Sequence, residues 1–150
     1  MENQYYSKEE CLGALQRATD NINQLTNACK EYTRGVNDCF ALLANYDLEL
    51  RGKSKARDYI DFQWNKPREF AVKLKRIKGY TVSDYLIYCG CKIITDHRPR
   101  LGDVAFHDGA MINGGDFWVS TNENNTGVHK TIQAHFLKRR LSVIARPIRS

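Results

Sequence analysis

Long apolar runs are missing from this chain. Nothing in it approaches the roughly 18 uninterrupted apolar residues that a spanning helix needs. Its opening residues, MENQYYSKEE, have neither the basic n-region nor the apolar h-region of an export signal. No membrane span and no secretion signal are therefore expected, with synthesis in the cytosol. Cysteine occurs five times (Cys11, Cys29, Cys39, Cys89, Cys91), an odd number without CxxC spacing. That argues against a complete disulfide framework and against a zinc site, so reduced thiols are expected. Internal repeats, low-complexity tracts, phosphate-cradling glycine loops, HExxH and GxSxG are also absent. No cofactor and no metal are implied.

What is present is ordinary globular material. A length of 150 residues suits a single domain over 1–150, and 42% hydrophobic content with a full mixture of charges suits a buried core. The net charge of +6 is unevenly spread: residues 51–78 hold ten Lys/Arg against three Asp/Glu. Such a segment reads as a solvated basic face that docks on an acidic protein, or as a nucleic-acid footprint. No aromatic-interleaved binding motif accompanies it, so the nucleic-acid reading ranks last.

Ser7 and Glu10 have the form of a capping box and predict a helix start. From there Cys11, Leu15, Ala18, Ile22, Leu25, Cys29 and Tyr32 recur in steps of four and three and line one narrow face. A leading amphipathic helix over 7–33 follows. Its cysteine and alanine seam positions favour packing on its own domain over a coiled-coil dimer. Gly35 closes that helix, and Asn37 or Asp38 caps a second one that turns Cys39, Leu42, Leu43 and Tyr46 inward. Residues 51–58 read as a polar connection. Pro67 opens a third helix through Phe70, Val72, Leu74 and Ile77, and Gly79 stops it. Ser83 or Asp84 caps a short fourth helix that ends at Gly90, and KIIT follows as a strand.

From Arg98 onward, glycines punctuate short runs such as DVAF, DFWVS and GVHKTI, and LSVIARPI comes last. Helices first and strands second predict an α+β fold with a small, mostly antiparallel sheet.

Cys39 stands in the first turn of an apolar helix, directly after its cap. Unpaired amides and the positive end of the helix dipole stabilise a thiolate there, as a cysteine nucleophile requires. The same position equally suits a cysteine used as a small buried hydrophobe. Cys89-Gly90-Cys91 supplies two ligands where a tetrahedral metal site needs four. Tyr5, Tyr6, Trp64 and Trp118 read as core or rim aromatics, His129 and His135 as surface or packing residues, and His97 as a loop residue.

The segment GVNDCFALLA (35–44) resembles the Asp-Cys helix start of NlpC-type papain-like cysteine peptidases, and Arg100-Leu101-Gly102-Asp103-Val104-Ala105-Phe106 resembles their "R-x-G-D-hydrophobic" strand start. Gly114-Gly115-Asp116-Phe117-Trp118-Val119-Ser120 and Gly127-Val128 resemble the two strands that follow. Closer is a branch of that group found among bacteriophage tail genes. Its leading helix runs into an "aromatic-x-x-Gly-x-Asn-Asp-Cys" segment, here Tyr32 to Cys39, and Leu50-Arg51-Gly52-Lys53-Ser54-Lys55 is similar to its "Tyr-Arg-Gly-x-Tyr-Lys". The resemblance implies a papain-like (NlpC-type) core over 34–150 with Cys39 as nucleophile.

One departure bears on activity. The family's "His-Val-Gly-Ile-Tyr-x-Gly" strand supplies the base, and the matching stretch here runs from His107 to Gly114. Aligning on Gly114 puts Asp108 in the base position. His107 is one residue away, and strand alternation turns it to the opposite face unless a bulge intervenes.

Two functions follow from the resemblance. One is a structural or assembly protein of a phage tail with a degenerate site, made in the host cytoplasm, incorporated into the virion tail and partnered by other tail proteins. The other is an active peptidase or amidase cutting peptidoglycan peptides, with Cys39 as nucleophile and His107 as base.

Overall fold

A reciprocal cap starts the first helix. Ser7 Oγ accepts from the Glu10 amide at 3.1 Å, and the Glu10 carboxylate accepts from the Ser7 amide at 3.0 Å. The structure is a computed structural model that describes residues 4–29, 39–56, 67–96, 98–106, 110–121, 128–132 and 143–149. In it α1 spans Lys8–Cys29, and its buried stripe is Cys11, Ala14, Leu15, Ala18 and Ile22. Small residues in that stripe let α1 lie close against α2, Cys39–Arg51. The seam is thus used inside the chain's own core, as its weak composition implied. Tyr32, Gly35, Asn37 and Asp38 lie outside the described residues.

Helix α2 departs from a simple amphipathic pattern. Beyond Cys39, Leu42, Leu43 and Tyr46, it also buries Phe40, Ala41, Ala44 and Asp47. It is surrounded because α1 covers one side while strands β3 (Ala110–Asn113) and β4 (Phe117–Thr121) cover another. Full burial of a side chain such as Leu42 contributes about 1.5–3 kcal/mol.

Helix α3 spans Pro67–Lys78 and is followed by Gly79, as the Pro/Gly punctuation predicted. Its apolar residues do not all turn inward. Leu74 is fully buried, while Val72 and Ile77 are exposed beside Lys75, Arg76 and Lys78. Helix α4 spans Val82–Tyr88, and the capping residue is Thr81 instead of Ser83 or Asp84. Thr81 Oγ1 accepts from the Asp84 amide at 3.1 Å and Asp84 Oδ2 accepts from the Thr81 amide at 2.9 Å, so Asp84 is the third helical residue of a capping box.

Strands β1 (Cys91–Ile93), β2 (Val104–Phe106), β3, β4, β5 (Val128–Ile132) and β6 (Val143–Pro147) form one sheet of order β1-β6-β2-β3-β4-β5. Every pairing in it is antiparallel. The fold is therefore α+β, with N-terminal helices followed by a small antiparallel sheet. β1 begins at Cys91, one residue before KIIT, where Gly90 ends the turn out of α4.

Register separates the two faces of the sheet. Val104, Phe106, Ala110, Ile112, Val119 and Ala145 join the helices in the main core. Ala105, Met111, Trp118 and Ile144 form a second apolar cluster on the opposite face. Burial on both faces explains why β2 and β3 read as continuous apolar runs instead of alternating ones.

Candidate functional site

The candidate nucleophile sits at the first residue of α2. Its side chain is 3% exposed, and the next residue, Phe40, packs its ring against Phe106 with centroids 5.7 Å apart. Phe106 is the last residue of β2 and pairs across the hairpin with Ala110, the first of β3. The fold therefore brings the start of the cysteine helix to the end of the strand that precedes His107 and Asp108. Both of those residues lie outside the described ones, as do His97 and His135. The backbone of His129 pairs with Ser120 across β4 and β5.

The "R-x-G-D" segment turns out to be a piece of framework. Gly102 has φ +96° and lies directly on α1 and α2: a Cβ there would stand 2.5 Å from Cys11 Sγ and 3.0 Å from the Tyr46 hydroxyl. Tyr46 donates that hydroxyl to the Gly102 carbonyl at 2.8 Å, and burial pushes its phenol well above the ordinary range. Asp103 is completely buried. It accepts from the Arg100 amide at 2.7 Å and takes a two-point contact from Arg146 on β6, Nε at 2.8 Å and Nη2 at 3.0 Å. Burial pushes the Asp103 carboxyl above its usual value, against the pull of Arg146. Sequence reasoning took this segment for the start of a strand and overlooked Arg146, because the partner lies 43 positions away.

A second buried pair closes the other end of α2. Arg51 Nε donates to Asp47 one turn earlier, Arg51 Nη1 to the Ile148 carbonyl at 2.9 Å and Nη2 to the Gly90 carbonyl at 3.2 Å. Ser54 donates to the other Asp47 oxygen at 2.9 Å. In the described part of the polar connection read over 51–58, Gly52, Lys53 and Lys55 are exposed while Arg51, Ser54 and Ala56 anchor it to the core, so Arg51 is withdrawn from the basic face. The i,i+4 Asp47–Arg51 spacing was the available sequence signal.

Cys89-Gly90-Cys91 takes a structural place in the same network. Both thiols are buried, and Gly90, at φ +95°, offers its carbonyl to Arg51 where a Cβ would meet Arg51 Nη1 at 2.7 Å. Among the described residues no group of three His, Cys, Asp or Glu side chains could hold a metal ion, and no helix is long and apolar enough to cross a membrane. Comparison of the chain with protein-family models, with curated proteins and with solved structures finds no match.

Proposed function

We propose that this chain is a structural or assembly component of a bacteriophage tail, built on a papain-like (NlpC-type) fold whose active site is degenerate. The burial of Cys39 carries the reading. A sulfur nucleophile must meet its substrate, and Cys39, only 3% exposed and part of the hydrophobic core, is disposed for packing. The identity of the aligned base supports it too. A carboxylate is a much weaker base than an imidazole and a poor acceptor for the proton of a thiol, and the residue aligned with the base here is Asp108. The partners under this reading are other tail proteins, and the protein's place is the virion tail after assembly in the host cytoplasm.

The active peptidase is the second reading. It is favoured by the meeting of the first turn of α2 with the end of β2, the arrangement a Cys39 and His107 dyad would need. Two measurements separate the readings. The structural protein co-purifies with tail particles equally well as wild type and as Cys39→Ser, and leaves the turbidity of a cell-wall suspension unchanged. Clearing of that suspension by the wild type, abolished in Cys39→Ser, would replace it with the peptidase. Alkylation followed residue by residue gives a cheaper check. Cys39 should label no faster than Cys11, a buried thiol that burial pushes up.

A further inference from the structure

At the side of the sheet where β6 meets the start of α1, a cavity of about 100 Å³ opens between Tyr5, Tyr6, Lys8, the Arg100–Asp103 turn and Arg146. Its walls carry hydrogen-bond donors of three cationic side chains, Lys8, Arg100 and Arg146. A guanidinium carries five N–H donors, and Asp103 takes only the Nε and one Nη2 proton of Arg146. The remaining three have no acceptor among the described residues, although the side chain is only 11% exposed. The Tyr5 ring lies 5.4 Å from the guanidinium carbon.

Two further cations, Lys8 and Arg100, stand at the rim. Both are exposed, and neither forms a close ion pair among the described residues, although Arg100 lies near enough to Asp103 to act on its carboxylate. The one acid in the lining, Asp103, is already engaged by Arg146 and by the Arg100 amide. The cavity thus combines a largely covered guanidinium holding spare donors with two exposed cations, against the carboxylates of Asp103 and of Asp96, which acts on Arg146 from nearby, and it has room for a group of a few heavy atoms.

The geometry points to a binding site for a small oxyanion, a carboxylate or a phosphate group, held by Arg146 with Lys8 and Arg100. Planar donors match the oxygen spacing of such groups, and the exposed cations favour their approach. The site is separate from Cys39. Tyr46, which touches the Gly102 end of the cavity wall, lies seven residues along α2 from Cys39, about 10 Å at 1.5 Å per residue.

Titration of the full chain with inorganic phosphate, and separately with acetate, at constant ionic strength tests the assignment by backbone amide NMR. Saturable shifts are expected at Tyr6, Leu101, Gly102 and Arg146, and the tighter of the two anions identifies the ligand class. The double variant Lys8→Gln/Arg100→Gln, altered only at exposed side chains, should bind about tenfold more weakly with an unchanged spectrum elsewhere. Shifts that fail to saturate, that spread equally over Lys73 to Lys78 of α3, or that saturate with unchanged affinity in the double variant would mean an adventitious ion only and overturn the assignment.

Discussion

At its first turn, α2 turns Cys39 and Phe40 toward Phe106. At its last turn, about 18 Å further along, it turns Asp47 and Arg51 toward each other and toward the Gly90 and Ile148 carbonyls. The first end is held by apolar contact, which is non-directional and weakens gradually as atoms are removed. The second is held, together with Asp103 and Arg146, by buried charges whose worth depends on complete pairing. The polar end also fixes topology. Arg51 reaches the residue after β6 and the turn before β1, and Asp103 reaches β6 itself, so the two pairs seat β6, the last strand of the sequence, between β1 and β2. The Arg100–Asp103 segment belongs to this framework, so its presence is accounted for without catalysis.

Breaking the polar end should have the largest effect. Asp103→Ala leaves the largely covered Arg146 without its two-point partner and with only the more distant Asp96 acting on it, and a loss of about 3 kcal/mol is expected by denaturant unfolding. A loss below about 1 kcal/mol would mean that Arg146 finds solvent easily and that the two ends are not held differently. Next comes Gly102→Ala. It forces a side chain into φ +96° and against Cys11 Sγ at 2.5 Å, for a cost of about 2 kcal/mol. Relief of part of that cost by a second change, Cys11→Ala, would show that the close approach and not φ alone is at fault.

The apolar end should respond more gently. Phe106→Leu keeps a hydrophobic side chain but loses the ring contact with Phe40, and about 1 kcal/mol is expected. If this change costs more than Asp103→Ala, the contrast between the ends is reversed, and Phe106 fixes the approach of α2 to the hairpin more strictly than simple packing would.

How far the sequence disclosed this arrangement depended on the range of the interactions. Local chemistry was legible: the Ser7–Glu10 box, the α1 stripe, Pro67 and Gly79 around α3, and the succession of helices and antiparallel strands all follow from neighbours within a few residues. Thr81 was missed because the cap was read at Ser83 or Asp84, although Thr81 and Asp84 have the spacing of a capping box. The inward face of α2 was read too narrowly, since periodicity reports one face and this helix is covered on several. Beyond the i,i+4 spacing of Asp47 and Arg51, the polar framework was illegible for a different reason. Arg146 and Asp103 are 43 positions apart, and Arg51 and Ile148 are 97 apart. Of the candidate site, the sequence singled out Cys39, and the fold supplies its burial and the approach of Phe106. His107 and Asp108 fall outside the described residues.

The smallest expected effect lies in the two capping boxes, and it extends the comparison to pH. Backbone hydrogen bonds from Ser7 and Thr81 hold the Glu10 and Asp84 carboxyls below the usual carboxylate range. The unfolded chain therefore binds more protons than the folded one in the window between the lowered and ordinary values. The stabilisation is complete above the ordinary values of about 4 and is lost as pH falls through the lowered ones. Burial shifts Asp47 and Asp103 the other way, so their contribution falls as pH rises from the ordinary range through their folded values. Asp84→Asn should make the acid limb of a stability–pH curve shallower without affecting the polar end of α2. Glu10→Gln should do the same and also release Arg149, which pairs with Glu10 and stacks on Tyr6 at 4.8 Å. Identical acid limbs for both variants and wild type would show that the boxes position the helix starts without stabilising them. A steeper effect for Glu10→Gln alone would tie the first turn of α1 to the same framework that seats β6.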